Sequence, residues 1–278
     1  MNKFLACSRF PITLQCTYSE QETFTELLSH LSHYGFYGIE LNLPHLNLIE
    51  PHLLQSLLKM YNLKLTYLAT GAYAKTHHLS LTAPNIDNRK LAIEGTLKNI
   101  DYAAQLGSGI IIGFLKNNPS SYTPHTYSYL YDSLTEITAY ASTQNVPVLL
   151  EATNHYESTV INSLKDAHDI LVALSNRSLE ILPDTYHMNI EESHPLIALE
   201  TYKGLYNNLH ISDNNRFFPG YGHLNFMDYY TKLYTLNYSG TLCIEGNVKT
   251  TLLKDIDKTS HYLHHIFSLA ESAISNWT

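Results

Sequence analysis

The chain has only three cysteines and one tryptophan in 278 residues. Cys7, Cys16 and Cys243 are an odd set with no Cys-x-x-Cys pair, which argues against a disulfide framework or a thiolate metal cage. Reduced thiols in a cytoplasmic protein are expected. Cations are also scarce: 17 Lys and Arg stand against 25 acidic residues, giving a net charge of −8 and a pI near 6.0. That balance disfavours an extended nucleic-acid footprint, which needs clustered Lys and Arg to neutralise phosphates. No apolar run approaches the roughly 18 residues that a membrane span needs. The apolar stretch within Met1–Arg9 is far too short for a signal peptide. The expectation is a protein without membrane or nucleic-acid partners, its homo-oligomeric state left open. No Pro/Gly/Ser-rich linker or charge block divides the chain, so residues 1–278 are expected to form one domain.

What is present is alternation. Short β-branched or aromatic runs at Pro11–Cys16, Tyr37–Asn42, Lys64–Thr70, Gly109–Leu115, Val146–Ala152, Leu179–Asp184, Tyr206–Ile211 and Gly240–Glu245 read as strands. The continuous apolar runs Gly109–Gly113 and Val146–Leu150 suit strands buried on both faces. Amphipathic stretches lie between, as in Arg89–Leu106, closed by Gly107, and in Ser163–Leu174 and Leu253–Ala273. Eight strand–helix alternations in an α/β chain of this length point to a (β/α)₈ TIM barrel. A doubly wound open sheet is the alternative, weakened because no glycine-rich phosphate turn follows the first strand.

In such a barrel every strand ends on the same face, where active sites lie. Glu151, Asp184, His210 and Glu245 stand near the ends of four successive strands, 33, 26 and 35 residues apart. Three carboxylates and an imidazole make a hard, oxygen-rich set, suited to Mn²⁺, Co²⁺ or Mg²⁺, with Zn²⁺ also compatible. Asp184 alone would read as a helix cap and His210 alone as a core histidine; their common placement favours a metal site. Two glutamates flanking an ion suit proton removal on one face of a carbon and return on the other. Glu157 lies six residues beyond Glu151, and Arg216 sits in a loop tightened by Pro219, Gly220 and Gly222. Both are candidates for the same cavity, as helix-start carboxylate or surface ion pair otherwise. His187 follows Asp184 by three residues. A weak anion site is expected at Gly246–Lys249, before the last helix. His77, His78, His261, His264 and His265 read as surface residues, and His223 as a loop residue.

Glu151 with Glu157, the run Asp184–Glu192, His210 with Asn215-Arg216, Pro219-Gly220-Tyr221-Gly222, and Glu245 resemble the xylose-isomerase-like TIM barrels. Within that superfamily of sugar isomerases and epimerases, they are similar to the D-tagatose/D-allulose (ketose) 3-epimerases. The resemblance covers about residues 80–250. It implies one divalent ion on Glu151, Asp184, His210 and Glu245. It further implies C3 epimerisation of a ketose or sugar phosphate through a cis-enediolate, with Glu151 and Glu245 as acid and base and Glu157, His187 and Arg216 on substrate oxygens. An aldose–ketose isomerase of the hydroxypyruvate-isomerase kind, or an inosose-dehydratase-like lyase, would use much the same site. An endonuclease IV-like nuclease is the distant alternative. Its three zinc ions need extra histidines where this chain has Thr70-Gly71-Ala72-Tyr73, Ile112-Gly113-Phe114 and Asn214-Asn215-Arg216. A sugar-binding barrel without catalysis is a further alternative, disfavoured by the intact carboxylate pair.

Overall fold

The computed structural model describes residues 5, 8–116, 122–175 and 178–275; Cys7 and most of the Met1–Arg9 stretch lie outside them. The chain runs β1 (Ile12–Cys16), α1 (Gln21–Tyr34), β2 (Gly38–Asn42), α2 (Pro51–Met60), β3 (Lys64–Ala69), α3 (Gly71–His77), α4 (Ile86–Leu106) and β4 (Gly109–Ile112). It continues through α5 (Thr126–Gln144), β5 (Val148–Glu151), α6 (Leu164–Leu174), β6 (Leu179–Leu182), α7 (Thr185–Glu191) and α8 (Pro195–Thr201). The last elements are β7 (Asn208–Ile211), α9 (Phe226–Thr235), β8 (Thr241–Ile244) and α10 (Leu252–Ser275).

All the strand pairs are parallel, in the order β6-β5-β4-β3-β2-β1-β8-β7. The seam between β6 and β7 closes just past β6. There His210 N donates to Pro183 O at 2.9 Å, and Asp184 bridges to His210. This is a (β/α)₈ TIM barrel in a single domain, as the alternation predicts.

Side chains alternate across each strand. Ile110, Ile112, Val148 and Leu150 turn outward into the main core between sheet and helices. Ala69, Ile111, Leu149 and Leu182 form a second, inner cluster with Tyr67. Toward the strand ends the inner positions become polar, and the site begins there. Helix termini follow local chemistry. Ser163 and Asp166 make a capping box at α6. Gly107 stops α4 at φ 62°, a left-handed conformation that glycine adopts without penalty.

Strand ends fall within two residues of the sequence reading except at β4. The fourth strand ends at Ile112 rather than Leu115, because the chain turns into a 3₁₀ segment at Phe114–Lys116. Gly113 sits at that turn, where a Cβ would run into Oε2 of Glu151. The anion site expected at Gly246–Lys249 is also corrected. The N–H groups of Lys249 and Thr250 donate to the Asp255 carboxylate at 2.6 and 3.1 Å, so α10 supplies its own anion. Among the described residues no helix is long and apolar enough to cross a membrane.

Candidate metal centre

The ends of β5, β6, β7 and β8 bring Glu151, Asp184, His210 and Glu245 together. One ligand atom from each lies within 4.8 Å of all the others. Asp184 and His210 are fully buried, Glu151 is nearly so, and Glu245 stands at the edge of the cavity. The carboxylate of Asp184 divides its work. Oδ1 caps α7 by accepting from Tyr186 N at 2.7 Å and His187 N at 3.3 Å. Oδ2 faces the cluster and the Arg216 guanidinium at 2.6 Å. The helix-cap reading and the ligand reading of Asp184 are therefore compatible in one side chain.

His210 Nδ1 lies 2.6 Å from Glu245 Oε2, 3.6 Å from Glu151 Oε1 and 3.9 Å from Asp184 Oδ2. Its Nε2 is 2.9 Å from Glu40 Oε2. Burial alone would depress this imidazole, but the carboxylates of Glu40 and Glu245 outweigh it and raise His210 well above its ordinary value. Glu245 moves the other way. Burial opposes ionisation, yet Arg216 and His210 hold the carboxyl well below its usual range.

The donor set fits a divalent ion. Oε1 of Glu151 is buried and has no hydrogen-bond partner, with the imidazole nitrogens of His210 and His187 at 3.6 and 3.8 Å. A buried carboxylate oxygen left unmet is costly. Arg216 already pairs with Asp184 and Glu245, which leaves Glu151 Oε1 as the oxygen that a divalent ion among the four would satisfy.

The cluster opens into a cavity of about 810 Å³ lined by Glu157, His187 and Arg216 as well as by Lys75, Tyr156 and Asn247. Cavities of about 890 and 720 Å³ occur elsewhere, the first around Leu179 and Tyr206, the second around Ile12 and Lys64, near strand starts. Neither contains a grouping of three metal-type ligands among the described residues. Chemistry rather than size therefore singles out the mouth.

The substrate-contact candidates are placed as follows. His187 is buried, and its Nδ1 accepts from Asn154 N at 3.1 Å and is 2.7 Å from Asn154 Nδ2. A backbone N–H can only donate, so the neutral ring carries its proton on Nε2, toward Glu151 and the cavity. Glu157 is exposed on the cavity wall. Arg216 forks onto Asp184 at 2.6 Å and Glu245 at 2.9 Å, in a left-handed conformation at φ 63°. Its loop is gathered by buried Asp213, which accepts from the N–H groups of Asn214, Gly220, Gly222 and Leu224 at 2.8–3.0 Å.

Sequence reasoning missed Glu40, Asn154, Asp213 and Lys116. Lys116 is fully buried, donating to Thr153 Oγ1 at 2.6 Å. Burial lowers its ammonium to about 8, although Glu151 and Glu157 pull the other way. The one available signal for Glu40 was a charge in the middle of the short apolar strand Gly38-Ile39-Glu40-Leu41.

Fold and centre together define a (β/α)₈ barrel carrying a carboxylate–imidazole cluster at its C-terminal mouth. The chain belongs to the xylose isomerase-like TIM barrel family, whose model matches residues 28–264. It is 36% identical over 118 residues to a 3-dehydro-D-guloside 4-epimerase of Escherichia coli (strain K12), a match covering 42% of this chain and 45% of that protein. It is 30% identical over 164 residues to a ketose 3-epimerase of Arthrobacter globiformis, covering 57% and 56%. The matched stretches thus span roughly half the length of these relatives. The crystal structure of a 3-keto-D-glucoside 4-epimerase from E. coli superposes with a TM-score of 0.80 at 24% identity, covering 92% of this chain and 99% of that one. At that identity the likeness speaks for the fold.

Proposed function

We propose that this protein is a divalent-metal-dependent sugar epimerase that inverts a carbon next to a ketone carbonyl. The observation that carries the reading is the cluster of Glu151, Asp184, His210 and Glu245 within 4.8 Å at the mouth of an open cavity. The names of the relatives share one piece of chemistry. A ketose 3-epimerase acts beside a carbonyl at C2, and a 3-dehydro-glycoside 4-epimerase acts beside a carbonyl at C3. Both invert the α-carbon.

Glu151, Asp184, His210 and Glu245 would hold the ion, with Mn²⁺, Co²⁺ and Mg²⁺ the preferred candidates. When bound, the ion would act as a Lewis acid, polarising the carbonyl and making the adjacent C–H more acidic. Glu151 and Glu245 come from β5 and β8, which lie on different sides of the mouth, so a sugar between them meets a carboxylate on each face. One takes the α-proton to give an enediolate, and the other returns a proton to the opposite face. No atom or electron is gained overall. The Nε2–H of His187 donates to a substrate oxygen, Glu157 accepts from a hydroxyl, and Arg216 steadies the carboxylates and an oxygen nearby. The substrate is a small sugar, with a ketose at C3 as the first reading. A 3-keto-glycoside at C4 is the second, favoured by the 36% match.

The test is turnover of metal-loaded protein in D₂O on a panel of free ketoses, ketose phosphates and 3-keto-glycosides. Deuterium at the inverted α-carbon, C3 or C4, is expected, with turnover abolished by a chelator and restored by Mn²⁺ or Co²⁺. Deuterium at C1 or C2 of an aldose–ketose pair would make the protein an isomerase, loss of water a dehydratase. No exchange into any sugar would support a non-catalytic binding role.

A further inference from the structure

We propose that Glu40 is a positioning residue of this centre: it accepts and keeps the Nε2 proton of His210, so that Nδ1, which faces Glu151, Asp184 and Glu245, is the nitrogen that gives up its proton to an ion. The inference rests on the metal-binding reading above. Glu40 lies in the middle of β2, fully buried. Its Oε2 is 2.9 Å from His210 Nε2, and its Oε1 accepts from Asn208 Nδ2 at 2.5 Å. Asn208 in turn accepts the Thr241 hydroxyl at 2.6 Å. Asn208 and His210 are two residues apart on β7 and face the same side of the strand. One carboxylate from across the barrel interior therefore holds both.

A neutral imidazole offers one nitrogen to an ion, and the partner of its other nitrogen decides which. Nδ1 is the nitrogen directed at the cluster, 2.6–3.9 Å from three carboxylates. Nε2 is directed at Glu40. Glu40, His210 and Cys243 also lie close enough to suggest a second ion site. An ion there would need Nε2 stripped of its proton while Nδ1 serves the first site, a bridging imidazolate. His210 on Oε2, and Asn208 on Oε1 with Thr241 behind it, already account for both oxygens of the Glu40 carboxylate. The buried carboxylate is costly unless fully partnered. In this arrangement it is partnered, and the effect of that partnering is to set one ring orientation and one tautomer.

Glu40→Gln probes this with almost no change of shape. The amide oxygen of the variant still accepts from Asn208, leaving its NH₂ to donate to Nε2. His210 then carries its proton on Nδ1, on the side where the ion binds. The expected result is a Co²⁺ dissociation constant raised about 10–100-fold by titration calorimetry. The visible spectrum of the Co²⁺-loaded variant should also change, while the melting temperature without metal stays close to that of the wild type. A purely structural role would move the melting temperature and leave affinity and spectrum alone. A second measurement needs only wild-type protein: ¹⁵N-histidine spectra with one equivalent of Zn²⁺ should show the ion on Nδ1 of the responding ring and a proton on its Nε2. This decides the matter if the variant does not fold. A variant that binds Co²⁺ within about twofold of the wild type, or Zn²⁺ on Nε2 of the wild type, overturns the role of Glu40 and leaves the metal reading standing. Wild-type protein that binds no ion overturns both.

Discussion

Replacing Glu151 or Glu245 by glutamine keeps size and a liganding oxygen but removes the base. Each change should lower kcat by at least about 10²-fold, the low end of general acid–base contributions. Near-normal turnover of Glu245→Gln in a steady-state assay would contradict the two-carboxylate scheme. His187→Ala should lower kcat or raise KM with metal content unchanged, since its ring faces the cavity and not the shared point of the four ligands. Lys116 gives a prediction in pH. Burial holds its ammonium at about 8 against an ordinary 10.5, so the charged form is disfavoured in the folded state by about 3 kcal/mol below pH 8. The unfolded chain binds the extra proton between the two values, so this penalty fades as pH rises from about 8 to 10.5. Lys116→Met should therefore be more stable than wild type to urea at pH 7, with the gap closing by pH 10.5. An equal stability at pH 7 would count against it. At this scale the four residues of the cluster were legible because each stands at or near the end of an apolar strand. Glu40 and Lys116 were not, because a single charge within an apolar segment reveals its partner only once the strands are arranged.

The loop between β7 and α9 is gathered around one buried side chain. Asp213 is buried and accepts four backbone N–H groups, three of them from the far side of the loop. Asp213→Ala strands those donors, and hydrogen bonds to charged groups contribute about 1.5–3 kcal/mol each. A loss of at least about 2 kcal/mol in unfolding free energy is expected, together with a raised KM as Arg216 drifts. Unfolding curves and KM unchanged from wild type would show that the loop is held otherwise. Sequence placed this loop correctly from Pro219, Gly220 and Gly222, but read Arg216 as either a substrate contact or a surface ion pair. In the fold its guanidinium also lies on Asp184 and Glu245. The short fourth strand escaped the sequence for a related reason. Phe114 and Leu115 prolong the apolar run of β4, whereas the backbone turns at Gly113, where Glu151 leaves no room for a Cβ. Apolar pattern reports burial, not direction.

For the molecule as a whole, eight alternations of strand and helix were enough to give the barrel, since parallel strands buried on both faces leave few other arrangements. The seam between β6 and β7, bridged through Asp184 and His210, was invisible in the pattern because closure depends on strand stagger. It makes the centre part of the closure, so loading the ion should protect the whole fold. Excess Mn²⁺ should stabilise the wild-type fold by about 2.7 kcal/mol at a hundred times the dissociation constant, read as a raised melting temperature, and should do so far less in Asp184→Asn. The central claim is that Glu151, Asp184, His210 and Glu245 close on one divalent ion. Anomalous diffraction from crystals soaked in Mn²⁺ tests it most directly. A single peak within about 2.0–2.6 Å of one atom from each of the four is predicted. No peak, or one held by Glu40 and Cys243 instead, would contradict the account.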